Sequence, residues 1–212
     1  MRILTVNVGQ PREFTWRGQT LTTAFFKRPV EGPVRAHRLG LEGDAQADLT
    51  VHGGPTNALY LFPYEHYGFW RDWLRSNPLA PGSFGENLLT EGLLETEVAI
   101  GDRFRIGSAV VRVTSPRSPC QKLAARFDRL DLGKAFVESR RTGFYLAVDE
   151  EGQLQAGDRI ERVGCAADPV TVAEIVGLFR KTEGQDALLR RVVELPDLAP
   201  SWRDYFRERL TG

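Results

Sequence analysis

The 212-residue chain sets 28 Lys and Arg against 28 Asp and Glu, and 42% of its residues are hydrophobic. That is the composition of a folded globular protein and excludes a disordered one. Zero net charge argues against a nucleic-acid polymer as partner, since phosphate contacts ordinarily call for a basic excess. No window approaches the ~20 apolar residues of a membrane span, and Met1 to Asn7 is too short and too polar afterwards for a signal peptide.

Along the chain, residues 1–167 read as mainly β with helical additions. Short β-branched and aromatic runs at Ile3 to Val8, Thr22 to Phe26, Val34 to Leu39, Ala58 to Phe62, Val110 to Thr114 and Phe144 to Val148 are punctuated by Gly, Pro, Asn and Asp. Gly101 to Gly107 alternates Arg with apolar residues, and Gly157 to Val163 repeats the pattern. Many short strands at such spacing predict a barrel or a sandwich. Two helical stretches interrupt them. Tyr64 to Arg75 puts Tyr67, Trp70 and Leu74 on one face, and Gln121 to Arg140 reads as one or two short helices.

Residues 168–212 differ in character and predict a three-helix appendage. Thr171 with Glu174, and Thr182 with Gln185, have capping-box spacing, and Ser201 opens a third segment with Trp202, Phe206 and Leu210. About 45 residues bury little surface alone, so these helices are expected to pack on the β core.

The chemistry centres on Ser115-Pro116-Arg117-Ser118-Pro119-Cys120-Gln121-Lys122. Two prolines stiffen the loop. Arg117 and Lys122 bracket the thiol with positive charge, and a helix is expected to begin directly after it, all of which favours a thiolate. The plainer alternative is a buried structural cysteine. Cys165, the other cysteine, lacks such a setting, and two thiols in a chain of this length suggest a reducing, cytoplasmic location. Val51-His52-Gly53-Gly54-Pro55 offers a histidine beside glycine amides that can approach an anion, although such a turn is more often only a turn. Asp44 and Asp48 are as readily turn residues as site residues. In Gly85-Glu86-Asn87-Leu88 the two polar side chains should face opposite ways, one reading a ligand and the other tying a loop. Lys27-Arg28-Pro29 is a basic strand end suited to phosphate. No paired Cys-x-x-Cys or His-Glu-x-x-His occurs, so a metal at Cys120 would have to bring most of its own ligands, and a soft thiolate suits a metal wrapped in sulfur.

Seven blocks in order resemble the MOSC family, named for the C-terminal domain of molybdenum-cofactor sulfurases, and in particular its YiiM-type bacterial members. They are Phe26 to Val30, Leu39 to Asp44, Val51 to Pro55, Phe84 to Leu88, Ile100 to Arg103, Pro116 to Cys120 and Gly143 to Tyr145. The C-terminal helices resemble that subfamily's extension. The resemblance implies a β-barrel-like core holding a molybdopterin cofactor, with Cys120 as the protein's ligand to molybdenum. Lys27, Arg28, His52, Gly53, Gly54, Glu86, Asn87, Arg117, Ser118 and Lys122 would surround the pterin and its phosphate, and His52 or Arg117 would orient substrate. It further implies an oxidoreductase that reduces N-hydroxylated compounds, including hydroxylamino-purine base analogues, fed by a separate flavin or iron–sulfur reductase. Two other readings also want a thiolate in a basic pocket: a non-catalytic molybdopterin or sulfur carrier, and a metal-free thiol enzyme pairing Cys120 with His52.

Overall fold

Strand residues of alternating character need two apolar environments, and the fold supplies both. The computed structural model describes residues 1–45, 54–75 and 78–211. Its strands are β1 (Arg2–Val8), β2 (Arg12–Trp16), β3 (Gln19–Thr23), β4 (Arg28–Val30), β5 (Val34–His37), β6 (Gly40–Leu41), β7 (Leu59–Pro63), β8 (Leu88–Glu91), β9 (Arg103–Ile106), β10 (Ala109–Pro116), β11 (Phe144–Glu150), β12 (Gly152–Leu154) and β13 (Ile160–Gly164). The helices are α1 (Glu65–Leu74), α2 (Gln121–Phe127), α3 (Leu132–Ser139), α4 (Val172–Gly177), α5 (Asp186–Val193) and α6 (Pro200–Thr211). Among the described residues no helix is long and apolar enough to cross a membrane.

Eight strands form one sheet in the order β13-β9-β10-β11-β7-β8-β1-β4. Its neighbours are antiparallel except β7 and β8, which run parallel because α1 lies between them in the chain. The sheet curls until β1 meets the residues entering β13. Ile3 N donates to Asp158 O (2.9 Å), Gly157 N to Ile3 O (2.9 Å) and Ile160 N to Met1 O (3.1 Å). The barrel-like, mainly β core with helical additions is therefore present. The two alike segments around residues 101–107 and 157–163 prove to be partners, with Ile160 opposite Ile106 and Arg162 opposite Phe104.

Strand β7 shows how the core is divided. Leu59 and Leu61 point into the barrel with Val111, Val113, Phe144 and Leu146. Tyr60 and Phe62 point outward beneath α1 to α3, among Tyr67, Trp70, Phe84, Leu132 and Phe136. A strand buried on both faces reads as the continuous apolar run Leu59-Tyr60-Leu61-Phe62. Helices α4 to α6 join the barrel's apolar core through Val172, Ile175, Val176, Leu189, Val192 and Phe206.

Two expectations need revision. The strand expected over Thr22 to Phe26 lies earlier, because Arg17 (φ 50°) and Gly18 (φ 80°) make a tight hairpin that pairs β3 with β2. Thr171 and Glu174 do form a capping box. Thr182 and Gln185 share only a bond from Thr182 N to Gln185 Oε1 (3.3 Å), because the Gln185 side chain also receives Arg209 (3.0 Å) and donates to Gly177 O (3.3 Å), and α5 starts at Asp186.

Candidate functional site

The outward faces of β7 and β11 meet the loop after β10 in a cavity open to solvent. Period-two alternation places Tyr60 and Tyr145 there, since their neighbours Leu59, Leu61, Phe144 and Leu146 fill the barrel. Residues 23–25, Lys27 and Asp44 close one side, and Arg117, Cys120 and Lys122 another. Of the ionisable side chains lining it among the described residues, Lys27, Arg117 and Lys122 are cations and Asp44 is the carboxylate.

Arg117 is the organising group. Its backbone N donates to Gly143 O (3.2 Å), which locks the Pro-stiffened loop to the start of β11. The guanidinium is buried, lies 4.4 Å from the centre of the Tyr60 ring, and donates to Tyr145 Oη (2.9 Å). Another of its nitrogens lies 3.6 Å from Cys120 Sγ. Burial alone would weaken the cation, but the Tyr145 phenol and the Cys120 sulfur outweigh it and raise the Arg117 pKa. Arg117 Nε is buried with no hydrogen-bond partner among the described residues. An orphaned donor of this kind, inside a cavity, is what an anionic ligand would satisfy.

Cys120 is half-buried and unbonded to the other cysteine, and it is the residue from which α2 departs. Lys27 sits opposite, its ammonium 2.6 Å from one oxygen of Asp44 and in contact with the other. Burial lowers the Lys27 pKa, with the Asp44 carboxylate opposing. Asp44 also accepts from Gly9 N (2.7 Å) and Asn87 Nδ2 (2.8 Å). Burial raises the pKa of both Tyr60 and Tyr145, with Arg117 pulling each back, so both phenols are protonated at neutral pH.

Lys27, Asn87, Arg117, Cys120 and Lys122, all anticipated from sequence, therefore meet in one cavity. Glu86 does not. Its carboxylate turns away to accept from Gly82 N (2.6 Å), Phe84 N (3.0 Å) and the Tyr67 hydroxyl, fully buried beneath the aromatic layer. Asn87 faces the cavity and Glu86 ties the loop, the division that alternation allowed. Arg28 is exposed on β4, opposite Val8. Ser118 is exposed and lines a separate groove toward α6. Gly54 (φ 80°) starts the turn before β7 and is not among the described residues lining the cavity. His52 and Gly53, with Asp48, lie outside the described residues. Sequence reading undervalued Asp44 and missed Tyr60 and Tyr145, which look like ordinary strand aromatics until the outer face of the sheet is known. Among the described residues no three His, Cys, Asp or Glu side chains gather to hold a metal ion.

Comparison with known proteins places the fold in one lineage. The MOSC domain profile matches residues 48–161, and a profile described as "YiiM-like, 3-alpha helix domain" matches residues 170–212. Protein YiiM of Escherichia coli is 39% identical over 194 residues, covering 90% of this chain and 86% of its own. An uncharacterized Bacillus subtilis protein, YflK, is 37% identical over 207 residues, covering 98% and 93%. A Gibberella moniliformis protein named "Reductase" is 30% identical over 214 residues, covering 98% of this chain but 37% of its own length. The crystal structure of YiiM from Geobacillus stearothermophilus superposes with a TM-score of 0.83 at 31% identity, over 99% of this chain and 98% of that one. The chain belongs to the MOSC family.

Proposed function

We propose, from this membership, that the cavity holds the molybdenum cofactor and that the protein is a reductase of N-hydroxylated small molecules such as hydroxylamino-purine base analogues. The observation that carries the reading is the meeting, among the described residues, of one thiol with a buried arginine whose Nε lacks a partner, in a pocket of three cations and one carboxylate. That donor set suits an anionic, sulfur-rich metal cofactor. Cys120 is a soft ligand for molybdenum. Lys27, Arg117 and Lys122 offer charge-assisted hydrogen bonds to phosphate and pterin oxygens, and Asn87 holds the Asp44 carboxylate in place. The other metal ligands would come with the cofactor.

When bound, the cofactor supplies two-electron redox chemistry at its metal. The chain positions and polarises. Arg117 fixes the Cys120 sulfur and leaves Nε for an anionic partner. Tyr145 accepts from Arg117 and keeps its own proton to donate into the cavity. Tyr60 spends its hydroxyl on Thr142 O (2.7 Å) and serves as the ring under the guanidinium. The fungal relative named as a reductase supports reduction as the reaction. Electrons would come from a separate flavin or iron–sulfur reductase, with the protein working in the reducing cytoplasm.

The test is to purify the protein from cells that make molybdopterin and measure molybdenum and released pterin. The wild type is expected to carry both, and Cys120→Ser to lose most of the metal. A wild type free of both sinks the reading. A loaded protein that reduces no N-hydroxylated compound with a chemical donor would be a carrier instead.

A further inference from the structure

A second hollow lies beside the cavity, between the loop after β10 and helix α6, an open groove of about 1230 Å³. It shares Asn57, Arg117 and Tyr145 with the cavity, so the two spaces adjoin across these three side chains. The far wall is aromatic and comes from the helical extension. Phe179 and Trp202 stack at 4.6 Å and 3°, and Trp202 lies nearly parallel to Phe206 on another side (5.6 Å, 24°). Tyr205 stands edge-on to Trp202 (5.7 Å, 87°) and is 40% exposed. Trp202 thus has two stacked partners, and Tyr205 is the most exposed of the aromatic rings that line the groove. A tyrosine steadied by two aromatic neighbours presents a rigid apolar face at little entropic cost.

We infer that this groove binds the planar ring of an aromatic or heteroaromatic N-hydroxylated substrate, with Tyr205 as the principal contact and the N–OH end directed past Arg117 and Asn57 into the cavity. The inference rests on the function proposed above and adds to it a role for the extension. A small aliphatic N-hydroxy compound would reach the cavity without touching α6, so the extension selects rings over alkyl groups. The ring contributes through stacking and apolar burial, and Arg117 and Asn57 face the polar end.

Benzamidoxime and acetamidoxime test this, because they carry the same reacting group and differ in the ring. Binding of benzamidoxime to the cofactor-free full chain is measured by ligand-observed NMR. Turnover of both compounds by the cofactor-loaded protein is measured with a reduced viologen donor. Tyr205→Ala is expected to raise the benzamidoxime Kd about fivefold, and the ratio of its KM to that of acetamidoxime by a similar factor, as loss of one aromatic pair would. Tyr205→Phe should restore both. An unaltered Kd in Tyr205→Ala overturns the inference, as does an equal KM rise for the two substrates. A wild-type dimer that Tyr205→Ala dissociates would also overturn it, placing a second copy in the groove. If the loaded protein reduces neither compound while the cofactor-free chain still loses benzamidoxime on substitution, the groove stands and the reductase reading falls.

Discussion

Replacing Asp44 by Asn removes the carboxylate paired with Lys27, and the structure fixes what should follow. The pair is nearly closed off from solvent, with side-chain exposures of 9% for Lys27 and 5% for Asp44. Breaking a buried pair from one side costs about 3–5 kcal/mol, because the remaining charge is left uncompensated. Lys27 has an escape: it can release its proton. From an ordinary pKa of ~10.4 that release costs about 4.6 kcal/mol at pH 7 and about 2 kcal/mol at pH 9, at ~1.36 kcal/mol per pH unit. Burial already lowers the Lys27 pKa, and Asp44 is the chief force opposing it. In Asp44→Asn the unfolded chain therefore binds more protons than the folded one over a wider range below ~10.4, and stability rises with pH through that range. Urea unfolding at pH 7 and pH 9 should show Asp44→Asn less stable than wild type by about 3–5 kcal/mol at the first and by up to about 2.7 kcal/mol less than that at the second. The double variant Lys27→Met with Asp44→Asn should recover most of the loss, since an apolar replacement of both partners is often neutral. A deficit under about 1 kcal/mol at pH 7, or one that does not change with pH, would refute the reasoning.

Glu86 poses the opposite titration. Burial raises its pKa against four hydrogen bonds that lower it, the one from Tyr67 foremost, so the folded chain holds the proton at higher pH than the unfolded one. Stability contributed this way is full below ~4.3 and lost as pH rises through the raised value; urea midpoints between pH 4 and 7 should show that decline in the wild type and a flatter profile in Glu86→Gln. Equal slopes would remove Glu86 from the account. Gly143→Ala is expected to cost about 2–4 kcal/mol in urea, because φ is +64° and a Cβ would meet Leu61 O at 2.3 Å. Since the Gly143 carbonyl holds the Arg117 backbone, the same variant should retain less molybdenum than the wild type; full retention would show that this bond does not position Arg117.

The β core, α1 and the capping box at Thr171 were legible because each is written in local periodicity. The hairpin of β2 and β3 was not, since Arg17-Gly18 lacks the Asn-Gly or Asp-Gly pair that usually marks such a turn. Cys120 and Arg117 could be read from a stiff basic loop, whereas Tyr60 and Tyr145 could not. Their role depends on the outward face of β7 and β11 being roofed by helices, and that is a fact about distant parts of the chain. Asp44 shows the limit most clearly. As Gly43-Asp44 it resembles a turn, and only the close approach of Lys27, Gly9 and Asn87 makes it part of the site.

The seam that closes the barrel also sets an order of events during synthesis. Strand β1 is made first and finds β4 nearby, but its other edge waits for β8, and its final bonds are to Gly157, Asp158 and Ile160. At ~5–20 residues per second the ribosome needs roughly 8–30 s to travel from the end of β1 to that point. Throughout that interval the Met1 and Ile3 backbone groups that bond to Gly157, Asp158 and Ile160 stand unpaired, and the barrel cannot shut. A nascent chain held at residue 150 should therefore remain sensitive to protease and bind holdase chaperones, whereas one released past residue 165 should resist both.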